Sequence, residues 1–247
     1  MSTGFQPHEI EWTTEKSSNF WDHFAKATAA TPDQYFSYQL GEYLLAHVEE
    51  VVPLKGRILD YGSGPGYLIG HLLRHGLSCE ALDFSPASVE QTRQQFSGNP
   101  LFRGATIATG LPTPLPDASM DVVFCVEVVE HLLKEHLAPT LAELHRLVRP
   151  GATVVVTTPN EENLTASKVL CPECGCLFHR YQHLRSWSAQ TLRAAMEAEG
   201  FETINCRATT FGPKPKLAGL RKFLGRLRGR AELAPITLVY IGRRSQG

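Results

Sequence analysis

Two glutamates and a histidine follow an apolar run near the middle of the chain, in the order Glu127-x-x-Glu130-His131. If the chain turns helical here, residues three and four apart share one face, which groups the two carboxylates with the imidazole. Carboxylates suit Mg²⁺ or Mn²⁺, and an imidazole shifts the preference toward Mn²⁺ or Zn²⁺. The pattern predicts a divalent-cation site, with His131 as a general base if no cation binds. A helix start, where acids favour the helix dipole, explains the same residues without chemistry.

Three cysteines fall within six residues, at positions 171, 174 and 176, and two histidines follow them. A Cys-x-x-Cys pair with proline and glycine in its loop is typical of half a zinc site. We expect four zinc ligands here: Cys171, Cys174, His179 and either Cys176 or His183. His183 cannot easily serve both this zinc and the cation of the glutamates unless the two ions are adjacent. Unliganded cysteines in an exposed loop are the alternative.

A glycine-rich turn joins an apolar strand to an apolar-periodic helix within residues 57–75. Glycines let the backbone turn sharply and approach a ligand, and the helix that follows points its free N–H groups at that ligand. Dinucleotide-binding proteins need the spacing G-x-G-x-x-G. Here the glycines are Gly62, Gly64 and Gly66, so the third comes one residue early and a dinucleotide is disfavoured. A glycine turn without a ligand is the alternative.

The stretch Asp60-x-Gly62-x-Gly64-x-Gly66 resembles motif I of the class I S-adenosylmethionine-dependent methyltransferases. The resemblance implies that Asp60 lies near the methionine ammonium group and that the glycines line the cofactor. It also implies that Asp83, at the end of the next strand, accepts hydrogen bonds from the ribose hydroxyls, whereas a helix cap is the simpler role. The adenine-contacting aspartate of the family falls at Thr109. The cofactor-binding residues implied are Asp60, Gly62, Ser63, Gly64, Gly66, Tyr67, Asp83, Phe84, Thr109, Gly110, Leu111 and Glu127.

Two motifs narrow this resemblance to particular methyltransferases. The Glu-x-x-Glu-His motif, with a later His-x-x-x-Trp-Ser, resembles the small-RNA 3′-terminal 2′-O-methyltransferases, and it also resembles the metal-dependent ubiquinone-biosynthesis O-methyltransferases. The resemblance implies that Mg²⁺ or Mn²⁺ lies beside the attacking hydroxyl, with Glu130 and His131 as catalytic residues. The implied ligands are Glu127, Glu130, His131 and His183. The cysteine insertion resembles bacterial small-molecule methyltransferases more than the RNA enzymes.

Strands alternate with helices throughout residues 57–158, which predicts an α/β fold with a Rossmann-like, doubly wound parallel sheet. The resemblance implies seven strands, of which 201–209 and 236–242 form a closing antiparallel pair. We predict an N-terminal helical cap and one methyltransferase domain, which carries a Cys/His insertion and a basic insertion. Their ranges are 1–52, 53–247, 160–187 and 211–234, respectively.

Composition and charge restrict the partners. The 247 residues carry a net charge of −1, so no strong field favours nucleic acid. The other three cysteines lie in or beside apolar runs, and neither a signal peptide nor a membrane span is apparent, so we predict a cytoplasmic protein. The basic amphipathic stretch 214–230 fits a membrane surface, RNA phosphates, an anionic substrate or packing on the domain.

These motifs together predict methyl transfer from S-adenosylmethionine to a hydroxyl of a small-molecule metabolite, with zinc and Mg²⁺ or Mn²⁺ as candidate metals. One alternative is 2′-O-methylation of an RNA 3′ end, which the near-neutral charge and the lack of a recognisable RNA-binding module disfavour. Another is a zinc-bearing protein that binds the cofactor without catalysis. The sequence predicts neither the identity of the acceptor nor an oligomeric state.

Overall fold

The computed structural model describes residues 5–27, 31–212 and 236–246, and its centre is a seven-stranded sheet. The strands, in chain order, are β1 (His8–Glu9), β2 (Ile58–Tyr61), β3 (Cys79–Asp83), β4 (Phe102–Ile107), β5 (Met120–Val126), β6 (Val148–Pro159), β7 (Lys168–Leu170), β8 (Cys176–His179), β9 (Phe201–Thr209) and β10 (Thr237–Arg244). The large sheet has the order β4-β3-β2-β5-β6-β10-β9, and β10 runs antiparallel to both of its neighbours. The predicted doubly wound sheet and its closing antiparallel pair are confirmed.

Six helices are described, and several begin at residues that cap them. They are α1 (Thr14–Ala27), α2 (Phe36–Glu49), α3 (Tyr67–Arg74), α4 (Pro86–Phe96), α5 (Lys134–Leu147) and α6 (Ala189–Ala198). Ser85 accepts a hydrogen bond from the Ser88 N–H at the start of α4, where Pro86 occupies the first turn. Ser188 and Thr191 form a reciprocal capping box at the start of α6. These caps fix where each helix leaves the sheet.

The core consists of two apolar layers, one on each face of the sheet. One layer includes residues of α2 and α3, and the other includes residues of α5 and α6. Alternate residues of β5 face the two layers: Val122, Phe124 and Val126 join the first, and Val123 and Cys125 join the second. Because β5 is covered on both faces, the core fixes the end of this strand and therefore the place where Glu127 begins the next segment.

The predicted N-terminal cap consists of two helices with different environments. Leu44, Leu45 and Val48 of α2 are fully buried in the first layer, so α2 is part of the domain core. On α1, by contrast, Trp21 contacts the His131 ring beyond the end of β5, with ring centroids 4.6 Å apart. Only α1 therefore lies where a cap over the site would lie, and that role stays a prediction.

The Cys/His insertion supplies two strands, β7 and β8, of a small three-stranded sheet with the order β1-β8-β7, and its third strand, β1, comes from the N-terminal segment. The cysteine-rich turn joins β7 to β8, and β1 pairs with β8 in parallel. The basic stretch 214–230, for which several roles were predicted, lies outside the described residues. Within 5–27, 31–212 and 236–246, no helix has the length and apolar character that crossing a membrane requires.

Candidate functional site

The glycine-rich turn lies between the end of β2 and the start of α3. Gly62 and Gly66 have φ angles of 77° and 83°, in the left-handed region that side chains disfavour. A Cβ on Gly62 would lie 2.5 Å from Val128 Cγ2, and one on Gly66 would lie 2.8 Å from Thr92 Oγ1. Only glycine fits these two positions, so the turn presents backbone rather than side chains at this edge of the sheet.

Two buried carboxyl groups, Asp60 on β2 and Asp83 on β3, lie at adjacent strand ends beside this turn. Asp83 accepts the N–H groups of Gly64 and Ser85, each at 2.8 Å. Burial raises the pKa of Asp83, although these hydrogen bonds oppose the shift. Burial and the nearby Asp83 raise the pKa of Asp60 to about 8. The two carboxyls suit a ligand that brings hydroxyl groups and a positive charge.

The loop after β4 continues the same edge of the sheet. The Ala108 N–H donates to the Asp83 carbonyl at 2.8 Å, which ties the start of this loop to the end of β3. Phe84 and Leu111, which follow β3 and β4, are large apolar side chains left exposed. Thr109 and Gly110 lie between Ala108 and Leu111 in this loop. The predicted cofactor-binding residues in this region therefore follow the ends of two neighbouring strands, β3 and β4. Their contact with a cofactor stays a prediction.

Glu127, the first residue after β5, has a left-handed backbone with φ of 53°, which is uncommon for a residue with a side chain. Its Oε1 accepts a hydrogen bond from the Thr157 hydroxyl on β6 at 2.8 Å, and its N–H bonds the Thr157 carbonyl at 3.1 Å. Burial raises the pKa of Glu127 to about 7, although the Thr157 hydroxyl opposes the shift. The neighbouring strand thus sets the direction in which the chain leaves β5.

Glu130 is completely buried, and neither of its carboxylate oxygens makes a hydrogen bond of normal geometry. Burial and the nearby Glu127 raise its pKa well above the ordinary value. Its Oε1 lies 3.8 Å from Nε2 of His131. Because a buried polar group without a partner is costly, this carboxylate indicates a missing ligand in its surroundings.

The His131 ring is held so that one nitrogen faces this carboxylate. Its Nδ1 lies 3.5 Å from the Gln182 carbonyl, an acceptor that favours a proton on Nδ1 and leaves the lone pair on Nε2. Burial and the nearby His183 lower the pKa of His131 to about 3, which keeps the ring neutral. A neutral imidazole beside an unpartnered carboxylate is the donor pair that a divalent cation requires.

His183 belongs to two groups of residues whose candidate ligand atoms lie within 4.8 Å of one another. The first group contains Glu130 and His131, and the second contains Glu162 and His179. The structure therefore brings together three of the four residues predicted to hold Mg²⁺ or Mn²⁺. Glu127 is in neither group, and one of its oxygens is bonded to Thr157. Cation binding at the first group stays a proposal.

The predicted zinc set of Cys171, Cys174, His179 and His183 stays a prediction, and the strand register of the insertion separates two parts of it. The Cys171 N–H pairs with the Cys176 carbonyl at the closed end of the β7–β8 hairpin, whereas His179 pairs with Lys168 at the open end. Cys176 and His179 are three residues apart on β8, which is about 10 Å along the strand. Side chains three residues apart on a strand point to opposite faces of the sheet. Neither group of candidate ligands described above contains a cysteine. A zinc half-site at the two thiols of the turn stays a prediction.

Two contacts of the site were not predicted from the sequence. Glu162 bonds His183, and Gln182 accepts from the Trp21 Nε1 at 2.5 Å. Glu162 follows the end of β6, which pairs in parallel with β5. Its position after a strand end was the sequence signal that could have identified it as a residue of the site. Trp21 comes from α1, and no periodicity in the sequence indicates which surface that helix covers.

The described fold defines a class of protein: a seven-stranded sheet with a glycine turn after β2 and acidic residues at the strand ends is a class I methyltransferase fold. A family model described as a methyltransferase domain matches residues 35–205. The chain belongs to this methyltransferase domain family, which confirms its recognition as a class I S-adenosylmethionine-dependent methyltransferase.

Relatives of known sequence or structure agree with this class. A probable S-adenosylmethionine-dependent methyltransferase of Mycolicibacterium smegmatis is 31% identical over 150 residues, 59% of this chain and 51% of the relative. A ubiquinone biosynthesis O-methyltransferase of Pseudomonas paraeruginosa is 31% identical over 116 residues, 46% of this chain and 49% of the relative. The chain thus spans about half the length of these curated relatives.

One solved structure shows the same fold over nearly the whole chain. It is the 1,6-didemethyltoxoflavin-N1-methyltransferase of Burkholderia thailandensis, determined with 1,6-didemethyltoxoflavin and S-adenosylhomocysteine bound. The TM-score is 0.63 at 17% identity, and the match covers 97% of this chain and 94% of that chain. At this level of identity the likeness establishes the fold alone.

Proposed function

We propose that the protein transfers the methyl group of S-adenosylmethionine to a hydroxyl of a small molecule, beside a divalent cation held by Glu130, His131 and His183. The observation that carries the proposal is the Glu130 carboxylate, which is buried without a hydrogen bond of normal geometry and lies next to two imidazoles. The resemblance to the ubiquinone-biosynthesis O-methyltransferase of P. paraeruginosa supports an oxygen acceptor. The class of acceptor and the need for a cation are both parts of the proposal.

The donor set fits some cations better than others. One carboxylate and two imidazoles favour Mn²⁺ over Mg²⁺, which prefers oxygen ligands. A divalent cation bound here would supply Lewis-acid chemistry, which lowers the pKa of a hydroxyl beside it. The residues of this chain do the rest: the strand ends bind the cofactor, and the helix α1 covers the cation site. The transfer then forms one C–O bond, breaks the S–C bond with its electrons left on sulfur, and releases the hydroxyl proton to water.

A row of aromatic side chains connects the cation site to the glycine turn. Trp21 contacts the His131 ring, and Phe24 follows it with ring centroids 5.3 Å apart. Tyr35 lies 5.6 Å from Phe24 and 5.1 Å from Tyr67, the first residue of α3. Aromatic walls of this kind bind planar apolar surfaces. We therefore favour an acceptor that carries its hydroxyl on an aromatic or quinol ring.

The raised pKa of Asp60 predicts that S-adenosylhomocysteine binds more tightly as the pH rises from 6 to 8. In the free protein this carboxyl is protonated below its pKa of about 8, and it must lose the proton to pair with the ligand ammonium. The dissociation constant should fall by up to about tenfold per pH unit, since one proton is released. Titration calorimetry at several pH values measures this slope.

The matched variant for this prediction is Asp60→Asn, which has no proton to release. It should bind more weakly at pH 8 and lose the slope between pH 6 and 8 that Asp60 causes, while Asp83 stays in place. A wild-type slope that survives in Asp60→Asn would assign the titration to another group.

The proposed reaction is tested with S-adenosylmethionine labelled on its methyl group, with and without Mn²⁺. Hydroxylated aromatic compounds and a short RNA are offered as competing acceptors, and Glu130→Met is the variant control. We expect label in hydroxylated aromatics, dependent on Mn²⁺ and lost in the variant. Label in the RNA alone would overturn the small-molecule proposal, and turnover that persists with a chelator in both proteins would overturn the cation.

A further inference from the structure

Glu162 lies three residues beyond the end of β6 and contacts two histidines of the neighbouring loop. One oxygen, Oε2, accepts a hydrogen bond from Nδ1 of His183, and the other, Oε1, lies 3.3 Å from Nε2 of His179. The loop is anchored nearby, because the Glu161 N–H donates to the Trp187 carbonyl at 2.7 Å. The Glu162 side chain is 21% exposed, so its contacts with the two rings are largely shielded from water.

His179 is held in one tautomer by the backbone. Its Nδ1 accepts the N–H groups of Tyr181 and His183, at 3.3 and 3.1 Å. A nitrogen that accepts two hydrogen bonds carries no proton, so the proton of the neutral ring is on Nε2, the atom that faces Glu162. This Nε2–H has no lone pair to offer a cation. The His179 Nε2 makes no hydrogen bond of normal geometry, but at 3.3 Å from Oε1 the N–H favours the Glu162 carboxylate.

Glu162 sets the tautomer of His183 in turn. A carboxylate that accepts from Nδ1 places the proton there, and Nε2 keeps the lone pair. The His179 and His183 rings stack with centroids 4.4 Å apart and an angle of 18°, which fixes the orientation of the second ring. His131 lies on the other side, with its ring centroid 4.8 Å from that of His183.

We propose that Glu162 is a positioning residue that holds His183 with Nε2 available to the cation at Glu130 and His131. This inference rests on the proposed function for its purpose, but the tautomer itself does not depend on a cation. Hydrogen bonds of this kind to a metal-binding histidine are worth about 10- to 100-fold in metal affinity. Two strand ends then build the site: the end of β5 supplies ligands, and the end of β6 supplies the residue that orients one.

The test uses the full chain with Glu162→Ala, and with Glu162→Gln as the conservative variant whose carbonyl can still accept from Nδ1. Glu161→Ala is the matched control, because that side chain is exposed and next in sequence. Three quantities are measured: the imidazole ¹⁵N shifts of the metal-free protein, the Mn²⁺ affinity, and the affinity for S-adenosylhomocysteine. The last reports damage to the fold.

We expect Glu162→Ala to lose the Nδ1–H signature of His183 and to bind Mn²⁺ about 10- to 100-fold more weakly, with unchanged cofactor affinity. Glu162→Gln should restore part of both, because its carbonyl can accept from Nδ1 of His183 but its NH2 group cannot accept from Nε2–H of His179, and Glu161→Ala should match the wild type. A His183 tautomer that is unchanged in Glu162→Ala would overturn the proposal. So would two Mn²⁺ ions in the wild type and one in the variant, because Glu162 would then be a ligand.

Failure of the proposed function gives a different pattern from failure of this inference. If the wild type binds no Mn²⁺ but Glu162→Ala still changes the His183 tautomer, the positioning role stands and the cation proposal falls. If the wild type binds Mn²⁺ and the tautomer does not respond to Glu162, the positioning role falls and the cation proposal stands.

Discussion

Replacement of Glu130 with methionine is expected to abolish cation-dependent methyl transfer and to stabilise the metal-free protein. The carboxylate is fully buried without a hydrogen bond of normal geometry, and an unpaired buried polar group costs about 1 to 3 kcal/mol. Methionine has a similar shape and no polar oxygen atoms to bury. Because each kcal/mol shifts the Tm of a domain of this size by about 2 to 4 °C, the metal-free variant should melt several degrees higher. Turnover should fall about 100-fold or more, since the cation beside the reacting hydroxyl would lose its carboxylate ligand.

Calorimetric melting and single-turnover kinetics check the two halves of this prediction. Glu135→Met is the matched control: Glu135 is exposed in the first turn of α5, so its replacement should change neither quantity by much. A Glu130→Met protein that melts lower than the wild type would show that the carboxylate has partners. Retained turnover would remove Glu130 from the site.

Replacement of Gly62 with alanine is expected to weaken the binding of S-adenosylhomocysteine by more than about tenfold. The left-handed backbone costs a residue with a side chain about 1 to 2 kcal/mol, which alone corresponds to about tenfold. The new Cβ would also lie 2.5 Å from Val128 Cγ2, so the segment after β5 that contains Val128 and Glu130 must shift. Cofactor and cation binding should therefore weaken together. Titration calorimetry with each ligand measures both.

Gly98→Ala provides the comparison for this variant. Gly98 has no neighbour within 4 Å of an added Cβ and lies in the connection between α4 and β4. We expect this variant to bind both ligands as the wild type does. If Gly62→Ala binds S-adenosylhomocysteine normally, the turn does not line the cofactor and the role implied by motif I is wrong.

The sheet was predictable because its signals are local. Each parallel strand is a short apolar run followed by a turn and an amphipathic helix, and Asp60 and Asp83 fall at strand ends that a parallel sheet must bring to one edge. Glu130 and His131 were predictable for the same reason, since they follow the central strand β5. In each case, position at a strand end is sufficient to place the residue.

The contacts that could not be predicted join segments distant in sequence. His183 meets Glu130 and Glu162 because the loop after β8 folds back over two strand ends. Trp21 reaches His131 through the packing of α1, which a helical pattern alone does not orient.

The most direct test of a cation site at Glu130, His131 and His183 is the number of Mn²⁺ ions bound per chain. Electron paramagnetic resonance measures the free Mn²⁺ in samples of the protein saturated with S-adenosylhomocysteine, and the bound ions are the difference from the total. Wild type and Glu130→Met are titrated side by side. We expect one ion per chain in the wild type and none in the variant at the same free Mn²⁺ concentration. Equal binding by the two proteins, or none by either, would contradict a cation site at Glu130, His131 and His183.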